Sequence, residues 1–88
     1  MYYVYVIRSL SASEQIYTGA TDDLKQRISD HNTGKSRHTS KHIPWELEFY
    51  VGFPEKLRAY EFEKYLKSHS GRGFAKKRLM RAPKIIMP

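Results

Sequence analysis

The residue types that could do chemistry are concentrated in one predicted helix, residues 23–32. On a helical wheel of about 100° per residue, Arg27 and His31 fall on one narrow face. Leu24 and Ile28 are the apolar residues of that same face. Buried or half-buried arginine and histidine side chains need polar partners. An anionic substrate is one such partner, so this face is a candidate anion-binding surface.

The carboxylate of Glu63, in a later helical segment, is the second candidate. It falls within an apolar stripe of that helix or at its edge, where a carboxylate is costly unless it is paired. Two interpretations stay open on the residues alone. One is a structural salt bridge, with Arg27 or with Lys67 as the partner, and the other is a functional acid. The stripe consists of Ala59, Phe62 and Leu66.

Two short strands precede the first helix and must position it. Residues 2–8 and 15–20 are rich in tyrosine and β-branched residues, which predicts two strands, antiparallel to each other and joined by a polar connection. Tyr5 and Tyr17 in these strands are by themselves ordinary sheet core. Gly19 removes a side chain at the end of the second strand, where a backbone or a ligand can approach closely.

The first helix should be capped by Thr21 or Asp22 and should end at a glycine-based stop over residues 32–34. Residues 35–44 are polar and basic, which predicts a loop with a short helical turn. Residues 45–53 are strand-like.

Pro54 suits the first turn of a second long helix running to about Ser68. Residues 70–73 should break that helix, and a final helix should span residues 74–81. The pattern β-β-α-β-α-α predicts an α+β fold with a small three-stranded antiparallel sheet flanked by helices. We expect one domain over residues 1–82, followed by a short tail over residues 83–88.

Charge and composition narrow the classes of partner. The 88 residues carry a net charge of +7, and the pI is near 9.8. No acid follows Glu63, whereas eight Lys and Arg residues do. Such an excess favours polyanions, nucleic acid before membranes or proteins, and the alternative is a charge excess that only keeps the protein in solution.

Other classes of site and location are disfavoured by what the sequence lacks. The chain has no cysteine, which excludes disulfides and cysteine-based zinc sites. No apolar run approaches the length of a membrane span, and the first residues lack the basic region of a signal peptide. We therefore expect no membrane partner and a cytoplasmic location.

The tyrosine strands and the helix together resemble the GIY-YIG endonuclease superfamily. Tyr3-Val4-Tyr5 and Tyr17-Thr18-Gly19 look like its paired triplets, and eleven residues separate Tyr5 from Tyr17. The run Asp-Leu-x-x-Arg-x-x-x-His-Asn from Asp23 to Asn32 also matches, as does the later Glu63. The ordered set covers nearly the whole chain and is similar to small stand-alone bacterial members.

The resemblance implies a metal-dependent endonuclease that hydrolyses DNA phosphodiesters, selective for structure more than sequence, with a role in DNA repair or processing. It implies that Tyr5 is the general base and that Tyr17 orients or assists it. His31 would lie near the attacking water or the phosphate. Arg27 would hold the scissile phosphate through planar, bidentate donors. Glu63 would bind one Mg²⁺ or Mn²⁺.

The resemblance also leaves a second interpretation open. Where some catalytic relatives carry Lys or His shortly after the second triplet, this chain has Ala20-Thr21-Asp22. The alternative is therefore a non-catalytic nucleic-acid-binding module built on a nuclease scaffold. RNA is not excluded as a ligand, and a monomer is the expected state.

Basic residues outside the helix face have two interpretations, a solvated surface or contacts to a phosphate backbone. Gly19 is also expected to contact the substrate, because a residue without a side chain lets the substrate approach the backbone closely. Nucleic-acid binding of this kind is salt-dependent and largely blind to sequence. The expected substrate-binding residues are Gly19, Lys35, Arg37, Lys41, Arg72, Lys76 and Lys77.

Overall fold

The fold is a three-stranded antiparallel sheet with helices on both of its faces, as a computed structural model describes it for residues 1–80. The strand order is β2-β1-β3, so β1 is central. The expected α+β architecture and element order are confirmed. The elements are β1 (Tyr2–Ser9), β2 (Ile16–Thr21), α1 (Leu24–Asn32), a 3-10 turn (Ser40–His42), β3 (Trp45–Phe53), α2 (Lys56–Lys67) and α3 (His69–Arg78).

Alternate residues of β1 build two separate cores, because successive strand side chains point to opposite faces. On the face covered by α2 and α3, Val4 and Val6 lie in a cluster with Ala59, Leu66 and Ala75. We call this the α2/α3 face. On the opposite face, which we call the α1 face, the buried cluster consists of Tyr5, Ile7 and Trp45, with Tyr17, Leu24, Ile28, Ile43 and Leu47 packed against it.

The N-terminal cap of helix α1 lies one residue beyond the two residues expected to cap it. Asp23 is the N-cap, and its carboxylate accepts a hydrogen bond from the Gln26 backbone N–H at 3.1 Å. The prediction of Thr21 or Asp22 as the cap was therefore wrong. The Thr21 hydroxyl instead accepts a hydrogen bond from the Asp23 backbone N–H. The glycine-based stop is confirmed, because Gly34 follows the helix with a φ of +83°.

The two C-terminal helices begin at other residues than the sequence suggested. Pro54 precedes the N-cap of α2, Glu55, and lies outside the helix. Helix α3 begins at His69, five residues before the predicted start, and Ser68 caps it by accepting a hydrogen bond from the Gly71 backbone N–H. The break thus falls at Ser68, and residues 70–73 are helical.

Glycine at position 71 is required by packing and does not end the helix. A Cβ at Gly71 would overlap the backbone carbonyl of Tyr65. The residue is buried where α2 and α3 meet, so it lets the two helices turn tightly against each other. The predicted extension of the last helix to residue 81, and the tail over residues 83–88, lie outside the described residues.

Candidate active site

Tyr5 and Gly19 face each other across the β1–β2 pair. A Cβ built on Gly19 would lie 2.5 Å from the Tyr5 hydroxyl oxygen. The Tyr5 side chain therefore crosses the backbone of β2 at the one position in that strand without a side chain. Gly19 was expected to allow close approach of a substrate, and the group that approaches it in the structure is Tyr5.

A chain of buried hydrogen bonds runs from Tyr5 into the protein. The Tyr5 hydroxyl lies 2.8 Å from Nε2 of His31, and Nδ1 of His31 lies 2.7 Å from the Thr39 hydroxyl. All three side chains are at most 1% exposed. His31 comes from α1 and Thr39 from the loop before β3, so three separate segments hold the imidazole ring.

The hydroxyl of Thr39 sets the direction of this chain of hydrogen bonds. It lies 3.4 Å from the backbone carbonyl of Ser36, a group that can only accept a hydrogen bond. A hydroxyl that donates to Ser36 accepts from Nδ1–H of His31, which leaves Nε2 unprotonated. Nε2 then accepts the proton of the Tyr5 O–H group. The Thr39 backbone is itself held, because its carbonyl accepts a hydrogen bond from the Trp45 indole N–H at 2.8 Å.

Burial keeps both rings of this pair neutral near pH 7. Desolvation, followed by the nearby Arg27 charge, lowers the pKa of His31 from 6.5 to about 4, although Asp30 opposes the shift. Desolvation also raises the pKa of Tyr5 from 10.0 to about 12, although Arg27 opposes that shift. A neutral imidazole can accept a proton, whereas a phenol with this pKa cannot be a phenolate at neutral pH.

Arg27 interacts with the hydroxyls of Tyr5 and Tyr17, and the Tyr17 ring packs near both Tyr5 and His31. Burial alone would lower the pKa of Arg27, but its interactions with the hydroxyls of Tyr5 and Tyr17 raise it overall. The Tyr17 ring centroid lies 6.3 Å from that of Tyr5 and 5.0 Å from that of His31. Arg27 and Tyr17 are both half-buried. The predicted grouping of a cation, two tyrosines and a histidine is thus present in one place.

Glu63 approaches the same region from α2. Its negative charge acts on the ionisation of Tyr5, where it raises the pKa as the smallest of several causes. Within residues 1–80 its ion-pair partner is Lys67, one helical turn later, at 3.0 Å, and not Arg27. The carboxylate therefore pairs within its own helix, which was one of the two interpretations of the sequence.

The residues present fit a divalent metal that keeps most of its water. Among residues 1–80, no three His, Asp or Glu side chains gather as a protein-only metal cage requires. Mg²⁺ is commonly held by one or two carboxylates, with waters and substrate phosphate as the other ligands. Glu63 is suited to this role, because an ionised carboxylate offers about four acceptor positions and Lys67 contacts only Oε2.

The predicted substrate-binding cations fall into two groups. Lys35, Arg37 and Lys41 are exposed on the loop after α1, the same loop that places Thr39 behind His31. Arg72 and Lys76 are exposed on α3 and line a cleft that also includes Tyr17. Lys77 lies next to Lys76 on α3 but is not among the residues that line this cleft.

Thr39 is the functional candidate that the sequence did not indicate. It lies in a polar, basic loop with no periodicity, so no pattern distinguishes it from neighbouring Ser and Thr residues. Only the structure shows that Ser36 and Thr39 are both buried and joined by a turn hydrogen bond. Asn32 was part of the recognised motif. Its side-chain amide donates a hydrogen bond to the backbone carbonyl of Trp45 and accepts one from the backbone N–H of Trp45.

Residues 1–78 match the profile of the GIY-YIG catalytic domain. The fold and the profile match thus define a member of a nuclease family. The chain belongs to the GIY-YIG family, as its paired tyrosine triplets indicated.

Similar proteins come from fungi and bacteria. The structure-specific endonuclease subunit SLX1 of Cryptococcus neoformans is 42% identical over 69 residues, which cover 70% of this chain and 14% of that protein. A UPF0213 protein of Lacticaseibacillus paracasei is 37% identical over 67 residues, covering 75% of this chain and 73% of the relative. A UPF0213 protein of Streptococcus pyogenes serotype M5 is 37% identical over 71 residues, covering 80% of this chain and 75% of the relative.

The chain thus corresponds to a small part of the fungal protein and to most of the bacterial ones. Separately, none of the helices formed by residues 1–80 has both the length and the apolar character needed to cross a lipid bilayer.

Proposed function

We propose that this protein is a divalent-metal-dependent endonuclease that hydrolyses DNA phosphodiester bonds and selects DNA structure more than sequence. The hydrogen bond between the Tyr5 hydroxyl and Nε2 of His31, with Arg27 beside it, supports this proposal most directly. It supplies a proton acceptor for the tyrosine of the central strand. The SLX1 relative, whose name describes a structure-specific endonuclease subunit, favours the same substrate class.

Tyr5 and His31 act together as the general base. The Tyr5 oxygen takes a proton from the attacking water while its own proton passes to Nε2 of His31. The neutral imidazole becomes an imidazolium, and no free phenolate is needed, so the high pKa of Tyr5 is not an obstacle. His31 has no exposed surface. Its extra proton therefore leaves by the same route, through Tyr5, once the product has departed.

Arg27 binds the scissile phosphate and stabilises the charge that develops on it. A guanidinium offers paired N–H donors that match phosphate oxygens, and it stays charged at every relevant pH. In the structure this group interacts with the Tyr5 hydroxyl. When it turns towards a phosphate, it releases the hydroxyl for the attacking water. Tyr17, which contacts Arg27, keeps the guanidinium at the sheet edge.

Glu63 holds the metal ion, and Mg²⁺ or Mn²⁺ bound there supplies charge stabilisation to the phosphate and the leaving oxygen. Lys67 pairs with the Glu63 carboxylate in the metal-free protein. The protein acts as a monomer in the cytoplasm, in DNA repair or processing.

A cleavage panel tests the proposal. Labelled flap, branched, nicked, single-stranded and duplex DNA are incubated with Mg²⁺ or Mn²⁺, with a single-stranded RNA alongside. We expect cleavage of the distorted DNA substrates, lost on chelation and lost in Glu63→Gln, which keeps the shape of the side chain. Exposed Glu61, on the same helix, provides the matched control Glu61→Gln, which should cleave as the parent does.

The rival is a nucleic-acid-binding module without catalysis. It was motivated by the missing basic residue after the second triplet, and His31 now occupies the position of a helper beside Tyr5. Tight binding of the flap substrate without cleavage at any metal concentration would favour the rival. Equal cleavage by Glu63→Gln and the parent would rule out Glu63 as the metal ligand.

A further inference from the structure

The strongest feature outside the catalytic residues is a cleft along the free edge of β2. It has a volume of about 800 Å³ and lies between β2 and the helices α2 and α3. Its apolar lining includes Val6, Leu66 and Ala75 from the α2/α3 face, together with Ile16 and Met80. Ile16 is 44% exposed, so part of this apolar surface is open to solvent.

Cations surround this apolar lining. Arg8, Lys67, Arg72 and Lys76 all line the cleft, against one acid, Glu14. Arg8 is paired with Glu48 and Lys67 with Glu63. Within residues 1–80 neither Arg72 nor Lys76 makes a salt bridge. The cleft therefore presents two uncommitted positive charges beside apolar surface.

Two residues belong to both the cleft and the candidate active site. Tyr17 lines the cleft and also contacts Arg27 beside the Tyr5 hydroxyl. Lys67 lines the cleft and also holds the Glu63 carboxylate. A nucleic-acid strand with its scissile phosphate at Arg27 can therefore extend directly into this cleft.

We propose that this cleft binds one or two unpaired nucleotides of the strand next to the cleavage point, with phosphates on Arg72 and Lys76 and a base on the apolar lining. This inference rests on the proposed function, since it takes the strand to be the substrate. The volume is that of a site for a ligand of a few hundred daltons, which suits one or two nucleotides. Sites that bind single strands without sequence preference combine a positively charged groove with aromatic side chains on which bases stack. Among the residues that line this cleft, Arg72 and Lys76 supply the charge and Tyr17 is the aromatic residue.

The consequence is a physical basis for structure selection. A fully paired duplex cannot place a base in the cleft unless it unpairs one, which costs a few kcal/mol. Flaps, frayed ends and single-stranded gaps already contain unpaired nucleotides, so they gain the cleft contacts without that cost.

Binding is measured without cleavage, by fluorescence anisotropy in a metal-free buffer containing a chelator. The full chain is titrated with labelled single-stranded DNA, single-stranded RNA, a flap with a single-stranded arm, and a blunt duplex. The test variant is Lys76→Glu. The matched control is Lys64→Glu, an equally exposed lysine on α2 that does not line the cleft and undergoes the same change in charge.

We expect Lys76→Glu to weaken binding of the flap and single-stranded DNA by about 10-fold, and to lower the slope of log affinity against log salt by about 0.7 for each lost phosphate contact. The duplex should weaken much less, and Lys64→Glu should affect all ligands slightly and equally. Arg72→Glu should repeat the pattern of Lys76→Glu. Circular dichroism checks that the variants fold, which the exposure of both side chains favours.

Three results would overturn the proposal: equal losses in Lys76→Glu and Lys64→Glu, a loss confined to the duplex, or no preference of the parent for unpaired strands. If RNA binds as DNA does, the cleft recognises single strands of either sugar, which supports the proposal. If the cleft result holds but no substrate is cleaved with metal, the proposed catalysis fails and the binding site stands.

Discussion

The two faces of the sheet use their polar residues in opposite ways. On the α1 face, Tyr5, His31 and Thr39 are fully buried and joined by hydrogen bonds of 2.7–2.8 Å. On the α2/α3 face, Glu63 and Lys67 form an ion pair near the surface, and the Lys67 side chain is 54% exposed. Proton transfer needs fixed geometry and a dry environment, whereas binding a charged strand needs side chains that can rearrange in water. The comparison predicts large effects on stability and rate from substitutions in the buried chain of hydrogen bonds on the α1 face, and a small effect on stability from breaking the Glu63–Lys67 pair.

The largest effect should come from Tyr5→Phe, which removes one hydroxyl from the buried chain of hydrogen bonds. We expect the single-turnover cleavage rate to fall about 10²- to 10⁴-fold, the usual contribution of a general base. Unfolding should also become easier by about 1–3 kcal/mol, because Nε2 of His31 loses its partner in a buried site.

Tyr3→Phe is the control for this change, since Tyr3 lies in the same strand on the same face but is partly exposed. It should retain the parent's cleavage rate. Similar losses in the two variants would mean that Tyr5 contributes bulk and not proton transfer.

The next effect concerns stability against acid. The folded protein holds the pKa of His31 at about 4, below its usual 6.5, so the unfolded chain binds a proton that the folded protein does not between these pH values. Stability from this residue is therefore intact above pH 6.5 and is lost as the pH falls towards 4, by about 3 kcal/mol. Urea unfolding at pH 7 and pH 4 measures the loss, and His31→Gln should lose correspondingly less.

The same low pKa has a kinetic counterpart. Cleavage should stay constant as the pH falls from 7 to 5.5, because His31 remains neutral over that range. A rate that falls with a midpoint near pH 6.5 would show that His31 has an ordinary pKa in the working enzyme.

Thr39→Val should have an intermediate effect, since it keeps the shape of the side chain but removes the hydroxyl that accepts from Nδ1–H of His31. We expect cleavage to fall by about 10- to 100-fold, as when other imidazoles lose the partner that fixes their tautomer. Thr39→Ser keeps the hydroxyl and should restore most of the rate.

Nitrogen chemical shifts of His31 give a readout that packing alone would not change. The parent and Thr39→Ser should both show a protonated Nδ1 and a free Nε2. If Thr39→Val shows the same tautomer and the same rate, the hydroxyl does not direct the chain of hydrogen bonds.

The smallest effect should come from Lys67→Gln on the α2/α3 face. The pair with Glu63 joins residues one helical turn apart with a half-exposed lysine, and such pairs contribute about 0.3–0.5 kcal/mol. Thermal unfolding should therefore barely change. A loss above about 1 kcal/mol would contradict the contrast between the two faces, because it would make this ion pair a buried structural one.

The periodicity of the sequence predicted the sheet and the residues that share a helix face. It could not predict features that depend on tertiary contacts. Strand alternation and the helical wheel correctly predicted the sheet and the common face of Arg27 and His31. They could not predict that α3 begins at His69, because two glycines over residues 71–73 read as a break. The close approach of Gly71 to the Tyr65 carbonyl, which explains a glycine inside a helix, exists only once α2 and α3 pack together.

In the candidate site, too, some residues were predicted from the sequence and others were found only in the structure. Tyr5, Tyr17, Arg27, His31 and Glu63 were selected by residue type, helical position and family resemblance. The partner of Tyr5 and the role of Thr39 depend on three segments meeting around one imidazole. No pattern within any one segment indicates that the three segments meet. Thr39, eight positions beyond His31, could therefore be found only in the structure.

Because the side chains of β1 alternate between the two cores, the register that folds the protein correctly is also the register that places Tyr5 in the candidate site. Val4 and Val6 complete one core while Tyr5 and Ile7 complete the other, so the central strand has no spare face. A slip of one residue would exchange the two sets, forcing a phenol into the valine core and leaving the imidazole of His31 opposite an aliphatic side chain. Such a misregistered chain would be unstable as well as inactive. Quality control that removes unstable molecules would therefore also remove those in which Tyr5 is misplaced, without any separate check on the proposed catalytic tyrosine.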